Sequence, residues 1–210
     1  MIKPTAEAIL QATLETLKTE GFAGTTSRAV ARQGGFNQAL VFYYYGSLEG
    51  LLLAALERAS EERLARYRPA VSGVETLEEL IPVMAELWEQ DKAAGNVRVV
   101  SQMVAGAINR PELAERVVAL MNPWLELARE TIARVAPPIV PAAEAADAIV
   151  TFYLGVNLMT NLDPDASRVD AFFAKARELA PLVTPLIELV SASAGSPGRP
   201  STSPGRASAT

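Results

Sequence analysis

Apolar residues recur three and four positions apart along most of the chain, and no useful length alternates with the period of two that a half-buried strand shows. Glycine and proline residues interrupt this pattern at intervals. The spacing therefore predicts an all-α fold of about nine helices. These helices are predicted to span residues 5–20, 27–33, 37–44, 47–68, 76–94, 97–108, 111–135, 142–161 and 169–190.

Three residues set predicted helix boundaries. Gly21 is expected to end the first helix in the left-handed conformation that glycine adopts easily. Pro69 is expected to end the fourth helix, because proline has no amide hydrogen and crowds the preceding turn. Pro123 should kink the seventh helix or split it in two.

Helix length and composition divide the chain into three parts. Residues 1–46 hold three short helices, and residues 47–69 form a connecting helix that opens the second part, 47–190. In the last part, 191–210, twelve of the twenty residues are Ser, Gly or Pro and none is large and apolar. Such a segment cannot bury enough apolar surface to offset its ordering entropy, so it is predicted to be a disordered tail.

Composition narrows the possible chemistry. The chain has no cysteine and no histidine, which removes thiolate zinc sites, the commonest general base and the commonest metal ligand. We therefore expect no enzyme activity, no metal and no cofactor. Several glutamates of the fourth helix lie at helical spacings from Arg58, Arg63 and Arg66, which predicts a solvated, ion-paired face rather than a catalytic site.

The charge pattern shows no broad basic surface. The formal net charge is −5, from 19 Lys and Arg against 24 Asp and Glu, so the chain as a whole does not indicate nucleic acid or an anionic membrane. The first twenty residues carry charges at helical spacing, unlike a signal peptide. The most apolar later stretch, 149–162, is too short to span a bilayer. We expect a cytoplasmic protein with no membrane partner.

The first fifty residues contain the most specific motif. Three short predicted helices joined by glycine turns are the arrangement of a helix-turn-helix module. The chain reads Gly21-Phe22, Thr25-Thr26, Val30-Ala31, Gly34-Gly35-Phe36-Asn37, Val41-Phe42-Tyr43-Tyr44-Tyr45 and Ser47-Leu48-Glu49-Gly50-Leu51-Leu52. Over about residues 5 to 56, without a gap, this run resembles the N-terminal DNA-binding domain of TetR-family transcriptional regulators.

That resemblance implies a function. The chain would be a homodimeric regulator that binds a palindromic operator with its third helices in successive major grooves. The resemblance favours a repressor, released by a small, partly apolar molecule. Helix geometry turns Phe36, Val41 and Tyr45 inward. The DNA-contacting candidates are Thr26, Ser27, Arg28, Asn37, Gln38, Ala39, Leu40, Phe42, Tyr43, Tyr44 and Ser47.

Each group of DNA-contacting candidates suits a different part of the duplex. Gln38 can pair bidentately with adenine, and Ala39 or Leu40 can contact a thymine methyl group. Arg28 can reach either a phosphate or a guanine edge.

The chain also departs from the family pattern. Phe42 occupies a position where the family usually has a phosphate-binding tyrosine. Tyr44 replaces a usual histidine, and Leu48 replaces a usual lysine. Residues 1–50 hold four cations and four glutamates, so we expect DNA binding with a shallow salt dependence. The alternative is a helical small-molecule-binding or interaction protein that has lost operator binding.

The later helices resemble the ligand-binding part of the same family in number, length and order. Large, flexible and aromatic side chains with a few amides suit an adaptable small-molecule site; ordinary core packing is the alternative. Gly106 and Gly155 lie inside predicted helices and provide either close helix approach or room for a ligand. The pocket candidates are Met84, Trp88, Gln102, Met103, Met121, Trp124, Phe152 and Asn157.

The last two predicted helices are apolar on too many faces for a lone hairpin, which predicts a partner surface for a second copy. The alternative is that these faces pack only on helices six and seven. The dimer-interface candidates are Tyr153, Val156, Phe172, Phe173, Leu179 and Val183.

Overall fold

The computed structural model describes residues 5–136, 140–162 and 167–194. Within these ranges the chain forms ten α-helices and no strand, which confirms the all-α prediction. The helices are α1 (Ala6–Gly24), α2 (Ser27–Gly34), α3 (Ala39–Tyr45), α4 (Leu48–Ser72), α5 (Leu77–Ala93), α6 (Asn96–Ala107), α7 (Pro111–Ala119), α8 (Asn122–Val135), α9 (Ala142–Leu162) and α10 (Ser167–Ala194).

The predicted seventh helix is two helices. α7 ends at Ala119 and α8 begins at Asn122, with Pro123 in its first turn. A proline is tolerated there because the first amide groups of a helix have no partner within it. Pro123 therefore splits the predicted helix, and the described residues hold ten helices rather than nine.

The two predicted helix ends have different outcomes. Gly21 has the predicted positive φ, 71°, and interrupts the helix with a kink, after which one short turn extends α1 to Gly24. Pro69 does not stop α4, which continues to Ser72. The proline lies in the last turn, so its missing amide costs one hydrogen bond, and the following turn buries Val71 against Leu87 and Leu127.

The N-terminal helices form a small domain, called here the head (residues 5–47). Its apolar core joins α1, α2, α3 and the first turn of α4. Gly35 ends α2 in the left-handed conformation with a φ of 66°, so the chain turns sharply into α3. The buried members of this core are Ile9, Ala12, Val30, Val41 and Leu51.

Helix α4 joins the head to the remaining helices. Leu51 belongs to the head core, whereas Leu52 and Leu56 pack in a central cluster with Leu17 of α1 and Met103 of α6. Further along, α4 buries side chains against α5 and α8. One continuous helix therefore contributes to three successive apolar clusters.

A second connection runs between α1 and α6. The backbone amide of Phe22 donates to Oε1 of Gln102 at 2.9 Å. The aromatic ring of Phe22 lies directly over Gly106. The glycine thus permits a close approach of the head to α6, which decides one of the alternatives that the sequence left open.

The C-terminal end of the described chain is helical to Ala194. The rest of the predicted tail, residues 195–210, lies outside the described residues. In the described part, no single helix is long and apolar enough to cross a membrane; α3 and α4 meet the length and composition criteria only as a pair bent by 67°.

Two glycine substitutions should have opposite effects on stability. In Gly106→Ala the new methyl group would overlap the Phe22 ring, and overpacking of this kind costs about 1–3 kcal/mol. Gly155 has nothing within 4 Å of a Cβ position, so Gly155→Ala should gain about 0.5–1 kcal/mol from helix propensity. Urea unfolding measures both; equal effects would contradict the assigned contact.

Candidate DNA-binding face and ligand cavity

Three polar residues of the predicted DNA-contacting set accept hydrogen bonds from backbone amides at or just before helix starts. Thr26 Oγ1 accepts from the amide of Ala29 at 3.1 Å at the start of α2. Asn37 Oδ1 accepts from the amide of Ala39 at 2.9 Å. Ser47 Oγ accepts from the amide of Gly50 at 2.9 Å at the start of α4. These side chains hold the ends of the helices that present the face.

Helix α3 separates an inner face from an outer one. Val41 is fully buried in the head core. Tyr45 donates its hydroxyl to the carbonyl of Ala6 at 2.7 Å, and burial raises the pKa of this phenol. Both contacts fix how α3 lies against α1.

The outer face of α3 is aromatic and exposed. Phe42 is 50% exposed and Tyr43 is 70% exposed, and the rings of Tyr43 and Tyr44 meet edge to face with centroids 5.0 Å apart. Gln38, Ala39, Thr26 and Arg28 are also exposed, while Ser27 is half-buried.

Leu40 differs from its predicted role. It is half-buried and packs against the head core, because the short helix α3 contacts α1 and α4 along more than one of its sides. Its side chain contributes to the core and is not wholly available to a groove.

The cations of the head are mostly engaged in ion pairs. Lys18 pairs with Glu15 at 2.8 Å, and Arg32 pairs with Glu20 at 2.6 Å. Arg28 makes no ion pair with any residue that the structure describes, and Lys3 lies outside the described ranges. Arg28 is therefore the cation of α2 and α3 that is available to a phosphate.

Leu48, at a usual lysine position, has a structural role. Its half-buried side chain packs against both the head core and the central cluster. The apolar residue therefore joins two cores, where a lysine would place its ammonium group near solvent.

A cavity with a volume of about 840 Å³ lies among α4 to α10. Its wall is almost wholly apolar and aromatic. Five of the predicted pocket residues line it: Met84, Trp88, Met121, Trp124 and Phe152. Gly155 also lies in the wall, whereas Gly106 does not.

Three predicted pocket residues lie elsewhere. Gln102 bonds the Phe22 amide at the connection to the head. Met103 is fully buried in the central cluster. Asn157 is 1% exposed and donates Nδ2 to the carbonyl of Tyr153 at 2.6 Å, within its own helix. Residue type alone suggested these positions, but Gln102 and Met103 face neighbouring helices and Asn157 bonds within its own helix.

Most of the predicted dimer-interface residues line the cavity, and one is exposed at the surface. Tyr153, Val156, Phe172 and Phe173 line the cavity. Leu179 is 43% exposed. The side chain of Val183 is outside the described part.

A buried polar cluster adjoins the cavity and was missed from the sequence. Asp91 of α5 is fully buried. It pairs with Arg63 at 2.5 Å and with Arg66 at 2.8 Å, and it accepts from the hydroxyl of Tyr67 at 2.9 Å and from Asn96 at 3.2 Å. Helices α4, α5 and α6 therefore meet on a single carboxylate.

Arg63 completes the cluster and is itself 5% exposed. Its Nε donates to Asp91 at 2.8 Å, and Nη2 also donates to the hydroxyl of Tyr153 on α9. The expectation of a solvated face was wrong for this residue. Arg63 falls on the apolar stripe of α4, seven residues after Leu56 and four before Tyr67, and that interruption was the available signal.

The electrostatics of the cluster follow from burial and charge. Burial opposes ionisation of Asp91, but the charge and hydrogen bonds of Arg63 outweigh it and lower the pKa of that carboxyl. Burial opposes the charge of Arg63 as well, yet Tyr153 and Asp91 raise its pKa above the ordinary value. Burial raises the pKa of Tyr153 to about 12. The pair is therefore ionised and the phenol neutral near pH 7.

Aromatic rings surround the guanidinium of Arg63. Its Cζ lies 4.7 Å from the ring centroid of Trp124, 5.7 Å from that of Tyr67 and 5.5 Å from that of Tyr153. Trp124 donates Nε1 to Ser60 at 2.8 Å. Nε1 of Trp88 is buried and makes no hydrogen bond in the described structure.

Comparison with known proteins identifies the family of the head. Residues 9–55 match the family model of the bacterial regulatory proteins of the tetR family. The head is thus similar to the DNA-binding domain of that family. It is 30% identical over 112 residues to the HTH-type transcriptional regulator BetI of Stenotrophomonas maltophilia (strain R551-3), over 51% of this chain and 57% of BetI. The chain thus spans little more than half the length of this curated relative.

Solved structures of transcriptional regulators extend the match in fold to the later helices. FadR from Bacillus subtilis in complex with stearoyl-CoA superposes with a TM-score of 0.66 at 14% identity, covering 84% of this chain and 97% of that one. A transcriptional regulator from Saccharomonospora viridis in complex with choline gives 0.69 at 16% identity, covering 83% and 94%. At these identities the similarity is one of fold.

Removal of the Asp91 charge should strongly destabilise the chain. Asp91→Asn leaves Arg63 buried without a counter-charge, which costs about 3–5 kcal/mol. The matched control is Asp147→Asn, whose 60% exposed side chain pairs with Arg129 at 3.6 Å and should change stability by less than about 1 kcal/mol. Urea unfolding at pH 7 compares them. Similar losses in both variants would contradict the role of the cluster.

Proposed function

We propose that the chain is a ligand-responsive, DNA-binding transcriptional regulator. The exposed outer face of α3, held by the buried Val41 and the Tyr45 hydroxyl, is the observation that carries this proposal. A short helix with exposed aromatic, amide and small apolar groups costs free energy in water and suits a major groove. Family membership of the head supports the same function.

Within the proposed complex, the polar residues of the face have separate tasks. Gln38 pairs with an adenine edge and Tyr43 contacts the backbone or a base next to it. Arg28 binds a phosphate near the N-terminus of α2. Since one unpaired cation remains on α2 and α3, affinity rests more on groove contacts than on charge, and salt weakens it only gradually.

The cavity is the proposed effector site. Its volume matches that of sites for drug-sized molecules, and α4 and α6 connect its wall to the head. Two proteins of the same fold were solved with stearoyl-CoA and with choline, which supports a small-molecule role for this region. We infer a repressor that a small, partly apolar effector releases by favouring a conformation in which the heads no longer fit the operator.

A dimer is the proposed assembly, because α9 and α10 expose several large apolar side chains. Such surfaces mark interaction sites, and two symmetric copies would present two heads to a palindromic operator. The exposed members are Ile149, Phe152, Leu158, Met159, Leu162, Phe172, Leu179 and Leu182.

A second candidate function is a small-molecule-binding protein that does not bind an operator. Two features of the head favour this function. Leu48 packs into two cores where the family usually has a lysine, and Lys18 and Arg32 are paired with glutamates. Each feature leaves one cation fewer to bind the phosphate backbone of a duplex. Selection from random duplex DNA at two salt concentrations separates the candidates. A palindromic consensus supports the regulator, and no enrichment supports the alternative.

Substitutions on the outer face should weaken binding to the selected duplex without unfolding the head. Gln38→Ala and Tyr43→Ala each remove an exposed group and should lose about 1–3 kcal/mol of binding free energy. Arg28→Ala should weaken all sequences and lower the log–log salt slope by about 1. Fluorescence anisotropy of the labelled duplex measures these changes.

The control for charge is Arg129→Ala, which removes a cation 47% exposed on α8 and should leave the salt slope unchanged. An equal drop in both arginine variants would show a long-range charge effect and contradict a phosphate contact at Arg28.

A charge on the exposed apolar face should dissociate the proposed dimer. Leu158→Glu places a carboxylate on a side chain that is 47% exposed and outside the cavity wall. Sedimentation velocity should show a monomer. Ile108→Glu alters a side chain that is 72% exposed at the end of α6, on neither helix of the proposed interface, and should remain dimeric. A monomeric wild type would refute the proposed assembly.

A further inference from the structure

The charge that the cavity wall presents to a ligand is positive. Arg63 is the charged residue of the wall in the described part of the chain. Its counter-charge, Asp91, is fully buried behind it and is not part of the wall. A ligand in the cavity therefore meets a guanidinium and is separated from the carboxylate.

Arg63 also has a donor that the protein does not use. Its Nε and Nη2 donate to Asp91 and to Tyr153. Nη1 makes no hydrogen bond with the described residues, and it is not among the fully buried atoms without a partner. Since Arg63 lines the cavity, an acceptor bound there can approach this guanidinium.

The total charge of the polar cluster also favours a negatively charged ligand. Asp91 balances one positive charge but contacts two guanidinium groups, those of Arg63 and Arg66. Tyr67 and Tyr153 are neutral near pH 7. The cluster as a whole carries one excess positive charge beside an apolar cavity, where charges interact more strongly than in water.

The aromatic rings do not form a free cage for a cation. Recognition of a quaternary ammonium requires open faces of Trp, Tyr or Phe rings. Here the Arg63 guanidinium already lies near the rings of Trp124, Tyr67 and Tyr153. A second cation would compete for these rings and be repelled by the guanidinium.

We propose that the effector of this cavity is an apolar molecule that ends in a carboxylate, with the carboxylate on Arg63 and the apolar body along the aliphatic and aromatic wall. The inference rests on the proposed role of the cavity as the effector site. It defines the chemical class of that effector, and it excludes quaternary ammonium compounds from it.

Three probes with the same chain length and different polar ends test the class: decanoate, 2-decanone and decyltrimethylammonium, each below its micellar concentration. The chain has two tryptophans, and both line the cavity, so intrinsic fluorescence reports on binding there. Decanoate should bind at least tenfold tighter than decyltrimethylammonium, with 2-decanone between them. Ammonium binding as tight as decanoate binding, or binding of none of the three, would overturn the inference.

Charge variants locate the source of the preference. Arg66→Gln removes the excess charge from a side chain that is 37% exposed, and should weaken decanoate several-fold while leaving 2-decanone unchanged. Arg68→Gln alters a neighbouring cation outside the cluster, 3.9 Å from Glu130, and should alter neither. If the two variants weaken decanoate equally, the preference does not come from the cluster.

Removal of the whole ion pair avoids a buried unpaired charge. The double variant Arg63→Met with Asp91→Asn should fold, because a buried pair replaced together is tolerated better than a pair that has lost one member. It should bind decanoate no tighter than 2-decanone. Retained preference for decanoate would overturn the assignment to Arg63.

Duplex selection on the same preparations tests the regulator function independently, so failure of the effector class and failure of the proposed function are distinguishable.

Discussion

The buried ion pair between Arg63 and Asp91 is the interaction on which the larger part of the molecule depends. Burial of two charges costs several kcal/mol per ion unless each is paired and hydrogen-bonded. Here Asp91 receives hydrogen bonds from α4 and α6, and Arg63 reaches the Tyr153 hydroxyl on α9. Contacts of four helices thus converge on one carboxylate and one guanidinium, and that guanidinium is the charged group in the described part of the cavity wall.

Helix α4 carries this constraint toward the head. Arg63 and Tyr67 hold its second half beside the cavity, whereas Leu51 holds its first turn in the head core. A helix transmits a displacement along its length because its hydrogen-bonded backbone is stiff. A ligand that draws Arg63 toward the cavity would therefore act on the helix that supports α3. The hydrogen bond of Phe22 to Gln102 also joins the head to α6, so it would either resist that movement or move with the head.

The head was predictable because its signals are local. Glycine turns, capping residues and an apolar face at helical spacing all lie within about fifty residues, and the family match covers the same segment. The cavity was only partly predictable, because a methionine or tryptophan at helical spacing lines a cavity or fills a core with equal ease. Met84 and Met103 illustrate this: one lies in the wall and the other is fully buried.

The polar cluster could not be assigned from sequence spacing. Arg63 and Asp91 are 28 positions apart on different helices, and their contact exists only once α4 and α5 have packed. Pro69 failed as a helix end for a related reason, since burial of Val71 compensates for the hydrogen bond that the proline removes. In both cases tertiary packing overrode a local rule.

Simultaneous measurement of effector binding and DNA binding tests the central claim most directly. A labelled duplex from the selection would be held in complex with the protein while decanoate is added, with tryptophan fluorescence reporting on the cavity and anisotropy reporting on the DNA. Coupling of ordinary size predicts that affinity for the duplex falls at least about tenfold as the tryptophan signal saturates. Saturation of the cavity with no change in DNA affinity would contradict the account.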